Sequence, residues 1–403
     1  MRSIFLITNQ SNSFLANELE VAKSLNCEIN VITLKKRGEI LPFAENIKER
    51  NDLHNLSFYR KGIIFYRMMT SHFFWFAILK NKKALSSIRF FFLTYKYLYG
   101  AFIIVDWALQ HKNSILKPNT ILYSYWNNFI PLGFAILKSK YKDFRSIKCY
   151  TRAHGYDVYE ELVHQFFPYR DFTFQQLEAI YPCSQAGTTF LRERYKTVQH
   201  KIKTSRLGTL PYYKNIDVLV KHSKIVRVVS CSNIIAGKRV PLILENLIYC
   251  ASKMSDITIE WHHFGDGDQM RFIKKRIAEL SSKNFKCVLH GFVSNALIFD
   301  FYASQYVDCL VNLSLSEGLP VSMMEAISMQ IPILANNVGG VSEIVNEQTG
   351  CLLDVNVQKE EFYEGLQYIL MKEKELRFST RQFWEKEFNA FVNYKDFYEQ
   401  LHA

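Results

Sequence analysis

Residues 307–335 read VDCLVNLSLSEGLPVSMMEAISMQIPILA, and their pattern decides the fold. Residues 307–315 look like a buried strand and 331–335 (IPILA) like the next parallel one. Between them Gly318-Leu319-Pro320-Val321-Ser322 reads as a turn entering a helix, so the segment is a βαβ unit. In an open parallel sheet, ligands bind beyond the carboxyl ends of the strands. A helix start there offers unpaired N–H groups with partial positive charge, a seat for phosphate. Glu317 falls in that loop and Glu325, eight positions on, in the helix behind it. A carboxylate can accept two hydroxyl protons at once, which suits the vicinal diols of a ribose or hexose.

Outward from this unit the alternation continues. Residues 225–232 (IVRVVSCS), 257–264 and 287–289 have strand character, with helical patterns at 240–253 and 270–281. Upstream, residues 4–8, 28–34, 120–125, 147–153 and 181–184 read as strands of a separate α/β pattern. Between the two, SRLGTLPYY (residues 205–213, ending on Tyr213) sets Gly208 and Pro211 among polar residues, as a hinge does. At 403 residues the chain is long enough for two α/β cores. The expected division is residues 1–205 and 206–380, and WEKEFNAFVNYKDFYEQL (384–401) reads as one last helix with an aromatic side.

The spacing of Glu317 and Glu325, the Gly-Leu-Pro after Glu317 and the tail NNVGGVSEIVNEQTGCLLD (336–354) together resemble the donor site of family 4 retaining glycosyltransferases of the GT-B fold. The resemblance extends over most of the chain. It implies an α/β fold of two Rossmann-like domains facing across a cleft, the second binding a nucleotide sugar and the first an acceptor. It also implies that the final stretch, 380–403, returns to the first domain.

The resemblance gives individual residues expected roles. In SCSNIIAGKR (230–239), Lys238 matches the lysine that meets the donor diphosphate. The family often places an arginine slightly earlier, where this chain has Ser232 and Asn233, and Arg239 is a possible substitute. The segment HHFGDGDQM (262–270) contains a literal D-x-D, the metal-nucleotide signature of the other glycosyltransferase fold. Its setting instead matches a tight turn at the edge of the nucleotide pocket, with Gly265 and Gly267 allowing close backbone approach. HGFVSN (290–295) resembles the loop whose backbone contacts the base, through Gly291, Phe292 and Val293. With Gly318, Leu319, Pro320, Val321, Ser322 and Glu325 these complete the expected donor pocket, in which Glu317 orients the sugar and Glu325 the ribose. No metal or other cofactor is expected.

In the first domain CYTRAHGYDVYEE (149–161, ending on Glu161) puts His154 and Asp157 beyond a strand end. By resemblance His154 touches the transferring sugar or its phosphate, and Asp157 holds the loop or the acceptor. Histidine is also the side chain most easily poised near neutral pH. Arg152 and Arg170 are further cleft candidates. SNSFLANE (11–18, beginning at Ser11) stands where many members have a glycine-rich loop, which points to a specialised acceptor side.

Composition narrows the setting. Eight cysteines are scattered without C-x-x-C pairing, as reduced core thiols in a cytosolic protein are. The opening MRSIFLITNQ turns polar too soon for a signal peptide and reads as a first strand. Net charge is +12, and from Leu53 to Val105 no acidic residue occurs while Arg60, Lys61, Arg67, Lys80, Lys82, Lys83, Arg89 and Lys96 do. Aromatics fill the gaps. Arg89, Lys96 and Asp106 break the only candidate membrane span. Three readings of this stretch stay open: an anionic membrane surface, nucleic acid and plain core, with no helix-turn-helix, RRM or KH pattern to support nucleic acid.

With these features, the resemblance implies a cytoplasmic retaining glycosyltransferase, peripheral at the inner face of the plasma membrane. It would move a sugar from a UDP- or GDP-sugar to a glycan or polyprenyl-diphosphate-linked acceptor, in capsule or O-antigen assembly. The alternatives are a same-fold sugar-phosphate synthase or epimerase, and a non-catalytic glycan- or membrane-surface-binding protein.

Overall fold

The computed structural model describes residues 2–9, 12–35, 41–80, 86–159, 167–212, 219, 221–280 and 282–402. Ser11, Lys82, Lys83, Glu161 and Tyr213, named above, lie outside them. The chain folds into two compact units, Met1–Leu207 with Ala390–Ala403, and Gly208–Asn389.

The first unit is built on β1 (Arg2–Thr8), β2 (Cys27–Thr33), β3 (Ile47–Arg50), β4 (Thr120–Ser124), β5 (Lys148–Ala153) and β6 (Ala179–Pro182). All pair in parallel, in the order β3-β2-β1-β4-β5-β6. Ile4, Phe5, Leu6 and Ile7 are buried, as central parallel strands covered on both faces require. Side chains start the helices: Asn12 Oδ1 accepts from Leu15 N at 2.8 Å and Asn128 Oδ1 from Ile130 N at 3.0 Å.

The second unit uses β7 (Ile225–Cys231), β8 (Thr258–Phe264), β9 (Phe285–Gly291), β10 (Cys309–Asn312), β11 (Ile333–Asn336) and β12 (Gly350–Leu353). Its order, β12-β11-β10-β7-β8-β9, is the same winding as the first sheet, so each unit is Rossmann-like. In each, the chain reverses its direction of travel across the sheet beside the first strand. That switch point falls between β1 and β4 in the first unit and between β7 and β10 in the second.

Three features differ from the sequence reading. The charged IKER of β3 forms an edge strand although nothing in its pattern marks it as one. Residues 384–401 are not one helix: Glu373–Glu387 ends in the second unit, where Trp384 Nε1 donates to Thr209 Oγ1 at 2.7 Å, and Ala390–His402 begins anew. This last helix packs on the first unit, with Phe397 against Tyr123 and Tyr181. Thirdly, Arg89, Lys96 and Asp106 do not break the run they occupy. Ile88–Gln110 is a single helix of 23 residues, long and apolar enough by length and composition to cross a membrane. Its later part is core, with Leu98, Phe102, Ile104 and Trp107 buried. Gly100 and Gly133 let it lie close to the helix Phe129–Lys140, since a Cβ at either would come within 2.7 Å of Phe129 or Ile104.

Candidate active site

At the switch point of the second unit the loops after β7 and β10 meet. Leu315 N donates to the Gly237 carbonyl at 2.9 Å, which ties one loop to the other. Lys238, at the end of the short turn Ala236–Lys238, places its Nζ 2.6 Å from Glu317 Oε1. Asn312, the last residue of β10, donates from Nδ2 to the same oxygen at 3.2 Å, while its Oδ1 accepts from Ser314 N at 2.9 Å. Both of these bonds fall on Oε1. Glu317 is therefore gripped on one side by a cation and an amide, leaving Oε2 as the oxygen that can turn to a ligand hydroxyl.

The loop after β11 supports this arrangement from behind. Gly340 N donates to the Gly318 carbonyl at 3.0 Å, and Gly339, at φ +55°, lies so near Glu317 that a Cβ would stand 1.9 Å from its carbonyl oxygen. Asn336 adds a bond from Nδ2 to the Leu313 carbonyl at 3.1 Å. Leu319 is buried, Pro320 caps the helix Val321–Ser328, and Val321 and Ser322 remain partly exposed at its start. The first N–H groups of a helix have no partner within it, so this start can receive an anion. One turn in, Glu325 is 7% exposed and accepts from Asn295 Nδ2 at 2.9 Å. Asn295 opens the helix that follows the HGFVSN loop, so that loop and the two-glutamate segment are joined through one side-chain bond.

The glycines of the β8 loop do allow a close backbone approach, and the partner is another loop of the same unit. A Cβ on Gly265 would meet the Ser232 carbonyl at 1.9 Å, and one on Gly267 the Ile234 carbonyl at 2.4 Å. The close backbone approach is thus that of the β7 loop, fastened by Ser232 N to the Phe264 carbonyl (3.0 Å) and Ile234 N to the Asp266 carbonyl (2.9 Å). His263 adds to it: its Nε2 lies 3.1 Å from the Ser232 carbonyl, and burial lowers its pKa to about 4. Gly291 has open space around it but a φ of +69°. Phe292 is 86% exposed, Val293 is half-buried, and Asn233 is exposed. Arg239 sits at φ +52° and donates from a guanidinium nitrogen to the Val355 carbonyl at 2.5 Å, an anchor for the loop after β12.

In the first unit His154 and Asp157 form a buried turn. Asp157 is fully buried and accepts from His154 N at 2.5 Å and Asn127 N at 2.8 Å. Burial raises its pKa to about 7 against these bonds and the charge of Arg170. His154, 7% exposed, donates from Nε2 to the Tyr125 carbonyl at 3.0 Å and packs on the rings of Tyr125 and Trp126. Burial, with Arg152 nearby, lowers its pKa to about 3, so it is neutral rather than poised near pH 7. Arg152 and Arg170, cleft candidates from sequence, are buried instead. Arg152 has Glu18 at 3.5 Å and lies over the Phe397 ring at 4.1 Å, while Arg170 donates to the backbone carbonyls of Asp157 and Val158. A cavity of ≈ 810 Å³ in this unit, lined by Arg2, Lys117, Thr120 and Lys148, lies at the amino ends of the strands, the opposite edge from the switch point.

Sequence reasoning missed Asn312 and Asn295. Each is a lone amide at an element boundary, where spacing carries no signal.

Comparison with known proteins bears on the family and the fold. Residues 188–384, just under half of the chain, match the family Glycosyl transferases group 1, and that stretch is a glycosyltransferase domain. The O-antigen biosynthesis glycosyltransferase WbnH of Escherichia coli is 33% identical over 114 residues, 28% of this chain and 29% of WbnH. The lipopolysaccharide outer core galactosyltransferase WaaB in its apo form matches with a TM-score of 0.66 at 14% identity, covering 99% of both chains. The sucrose-phosphate synthase of Thermosynechococcus elongatus matches with a TM-score of 0.66 at 14% identity, covering 100% of this chain and 99% of its own. At such identity the likeness shows the fold alone, and the fold is GT-B.

Proposed function

We propose that the whole chain is a retaining glycosyltransferase that moves a sugar from a nucleoside diphosphate sugar to a glycan carried on a polyprenyl diphosphate, in surface polysaccharide assembly at the cytoplasmic side of the membrane. The observation that carries the reading is the meeting of Lys238, Asn312 and Glu317 at the switch point, beside a helix start and one turn from Glu325. The WbnH match supports the O-antigen setting over the short stretch it spans.

In this reading Lys238 exchanges the Glu317 carboxylate for an oxygen of the donor diphosphate, and the start of the helix Val321–Ser328 shares that charge. Glu317 turns Oε2 to the sugar hydroxyls, and Glu325, oriented by Asn295, takes the ribose diol. The bond from the anomeric carbon to the diphosphate breaks with its electron pair passing to the phosphate oxygen. The acceptor hydroxyl bonds to the same face of that carbon and gives its proton to the departing phosphate. Retention comes from the family resemblance. No metal is needed where a lysine and a helix start neutralise the leaving group.

Assays of Glu325→Ala and Lys238→Ala with labelled UDP- and GDP-sugars test the donor pocket. Transfer as fast as wild type in both variants would end the assignment.

A further inference from the structure

The helix Phe58–Met69 buries Ile64 and Met68, yet it also carries large aromatic rings on its solvent side, where polar residues are usual. Arg60 and Arg67, seven positions apart and so on one face, reach inward to Asp106 while remaining half-buried themselves. Arg60 Nε is 2.7 Å from Asp106 Oδ2 and an Arg67 guanidinium nitrogen 2.6 Å from Asp106 Oδ1, with Asp106 itself 4% exposed. The solvent side carries Phe58, Tyr59, Phe65 and Tyr66, exposed by 92%, 79%, 45% and 68%. Their spacing makes one stripe, with exposed Lys61 and Gly62 along it. The helix Ile88–Gln110 packs alongside and extends the surface with Ile88, Phe92, Arg89 and Lys96 before it dives into the core.

A stripe of exposed rings on a folded helix calls for a covering partner. Its chemistry identifies one. No acidic residue occurs between Leu53 and Val105, and the next one, Asp106, is paired with two arginines, so the exposed charges that the described residues of these two helices turn outward include Lys61, Arg89 and Lys96. Aromatic rings beside cations suit the headgroup level of an anionic bilayer. Because Leu98, Phe102, Ile104 and Trp107 are buried in the unit, the helix Ile88–Gln110 is held in the protein and can lie on a membrane rather than cross it.

We propose that the outward faces of the helices Phe58–Met69 and Ile88–Gln110 lie in the headgroup layer of an anionic bilayer, with Asp106 as the buried counter-charge that draws Arg60 and Arg67 inward and leaves the aromatic side for lipid. This deepens the proposed function by naming the surface that brings the enzyme to a lipid-linked acceptor. It rests on that reading for its purpose, while its test needs no substrate.

The full chain is sedimented with vesicles of phosphatidylcholine alone or mixed with phosphatidylglycerol. Binding is expected to the mixed vesicles, falling as salt rises, and roughly tenfold or more weaker in the Phe58→Ser/Tyr66→Ser double variant, since each exposed ring contributes apolar burial in the interface. An unchanged thermal midpoint shows that the variant is folded. Without any change on the patch itself, wild-type tryptophan emission should shift to the blue on mixed vesicles, and Trp75→Phe, which removes a half-exposed ring of the neighbouring helix His72–Lys80, should abolish the shift. Equal binding by wild type and double variant, or no binding to either vesicle, overturns the proposal. So does a lipid-free sedimentation velocity run in which the double variant alone loses a dimer, because a second copy would then cover the face. A wild-type protein that binds the mixed vesicles but transfers no sugar would count against the proposed function and leave this surface standing.

Discussion

Lys238 Nζ lies 2.6 Å from Glu317 Oε1, so the cation expected to meet the diphosphate and the carboxylate expected to meet the sugar are bonded to one another. Both are partly sheltered, with side chains 28% and 9% exposed, so the pair holds its geometry better than a surface ion pair. Donor binding on this account is an exchange of partners. Lys238→Ala should lower kcat by about one to two decades at saturating donor, the loss of one charge-assisted bond worth roughly 1.5–3 kcal/mol at the transition state. Steady-state rates with a labelled donor measure it, and an unchanged kcat contradicts it.

Asn312 is expected to act through Glu317. Its bond at 3.2 Å fixes one carboxylate oxygen, and removing it in Asn312→Ala should cost about tenfold in kcat/KM while leaving the fold intact. Asn312→Asp should be worse, because a second carboxylate would face the first. If Asp and Ala variants behave alike, repulsion at Glu317 is not what the position controls.

The glycines offer a graded series read by thermal unfolding. Gly237→Ala, with nothing within 4 Å of its Cβ, should be near neutral. Gly291→Ala has the same open space but φ +69°, and should cost about 1–2 kcal/mol. Gly339→Ala combines φ +55° with a clash 1.9 Å from the Glu317 carbonyl, and should cost most and also weaken nucleotide binding. A Gly339→Ala protein that binds nucleotide like wild type would separate that loop from the site.

Two buried groups in the first unit should oppose each other in pH. His154 is lowered from 6.5 to about 3, so its contribution is present above pH 6.5 and is lost as pH falls toward 3. Asp157 is raised from 3.8 to about 7, so its contribution is present below pH 3.8 and is lost as pH rises through 7. Between these limits the two slopes, each up to about 1.36 kcal/mol per pH unit, cancel in the wild type. Asp157→Asn should expose the histidine slope, with stability rising from pH 4 to 6, and His154→Asn the reverse. Parallel stability–pH curves for the three proteins would falsify the assignment of either shift.

Since the proposed positive charge comes from Lys238 and a helix start, EDTA should leave the initial transfer rate unchanged. Restoration of a lost rate by Mg²⁺ or Mn²⁺ would place a divalent ion on the diphosphate instead.

Much of this was legible in the sequence, for physical reasons that also mark its limits. The buried strands β7 and β10 announce themselves as largely apolar runs and β8 by its alternation, and Glu317 and Glu325 follow from where such a run meets a helix start. The edge strand β3 carries Lys48, Glu49 and Arg50 because an edge can face water, so no apolar run marks it. Arg152 looked available because its partners are remote in sequence: Glu18 comes from the first helix and Phe397 from the last. The break between Glu387 and Ala390 hides in a continuous aromatic pattern, since Trp384 and Phe397 pack on different units.

The most direct test of the central claim is a crystal of the chain soaked with UDP or GDP. The account predicts the diphosphate at the start of the helix Val321–Ser328, with Lys238 Nζ released from Glu317 onto a phosphate oxygen and Glu325 on the ribose hydroxyls. A nucleotide bound elsewhere, with the bond between Lys238 and Glu317 still in place, would contradict it.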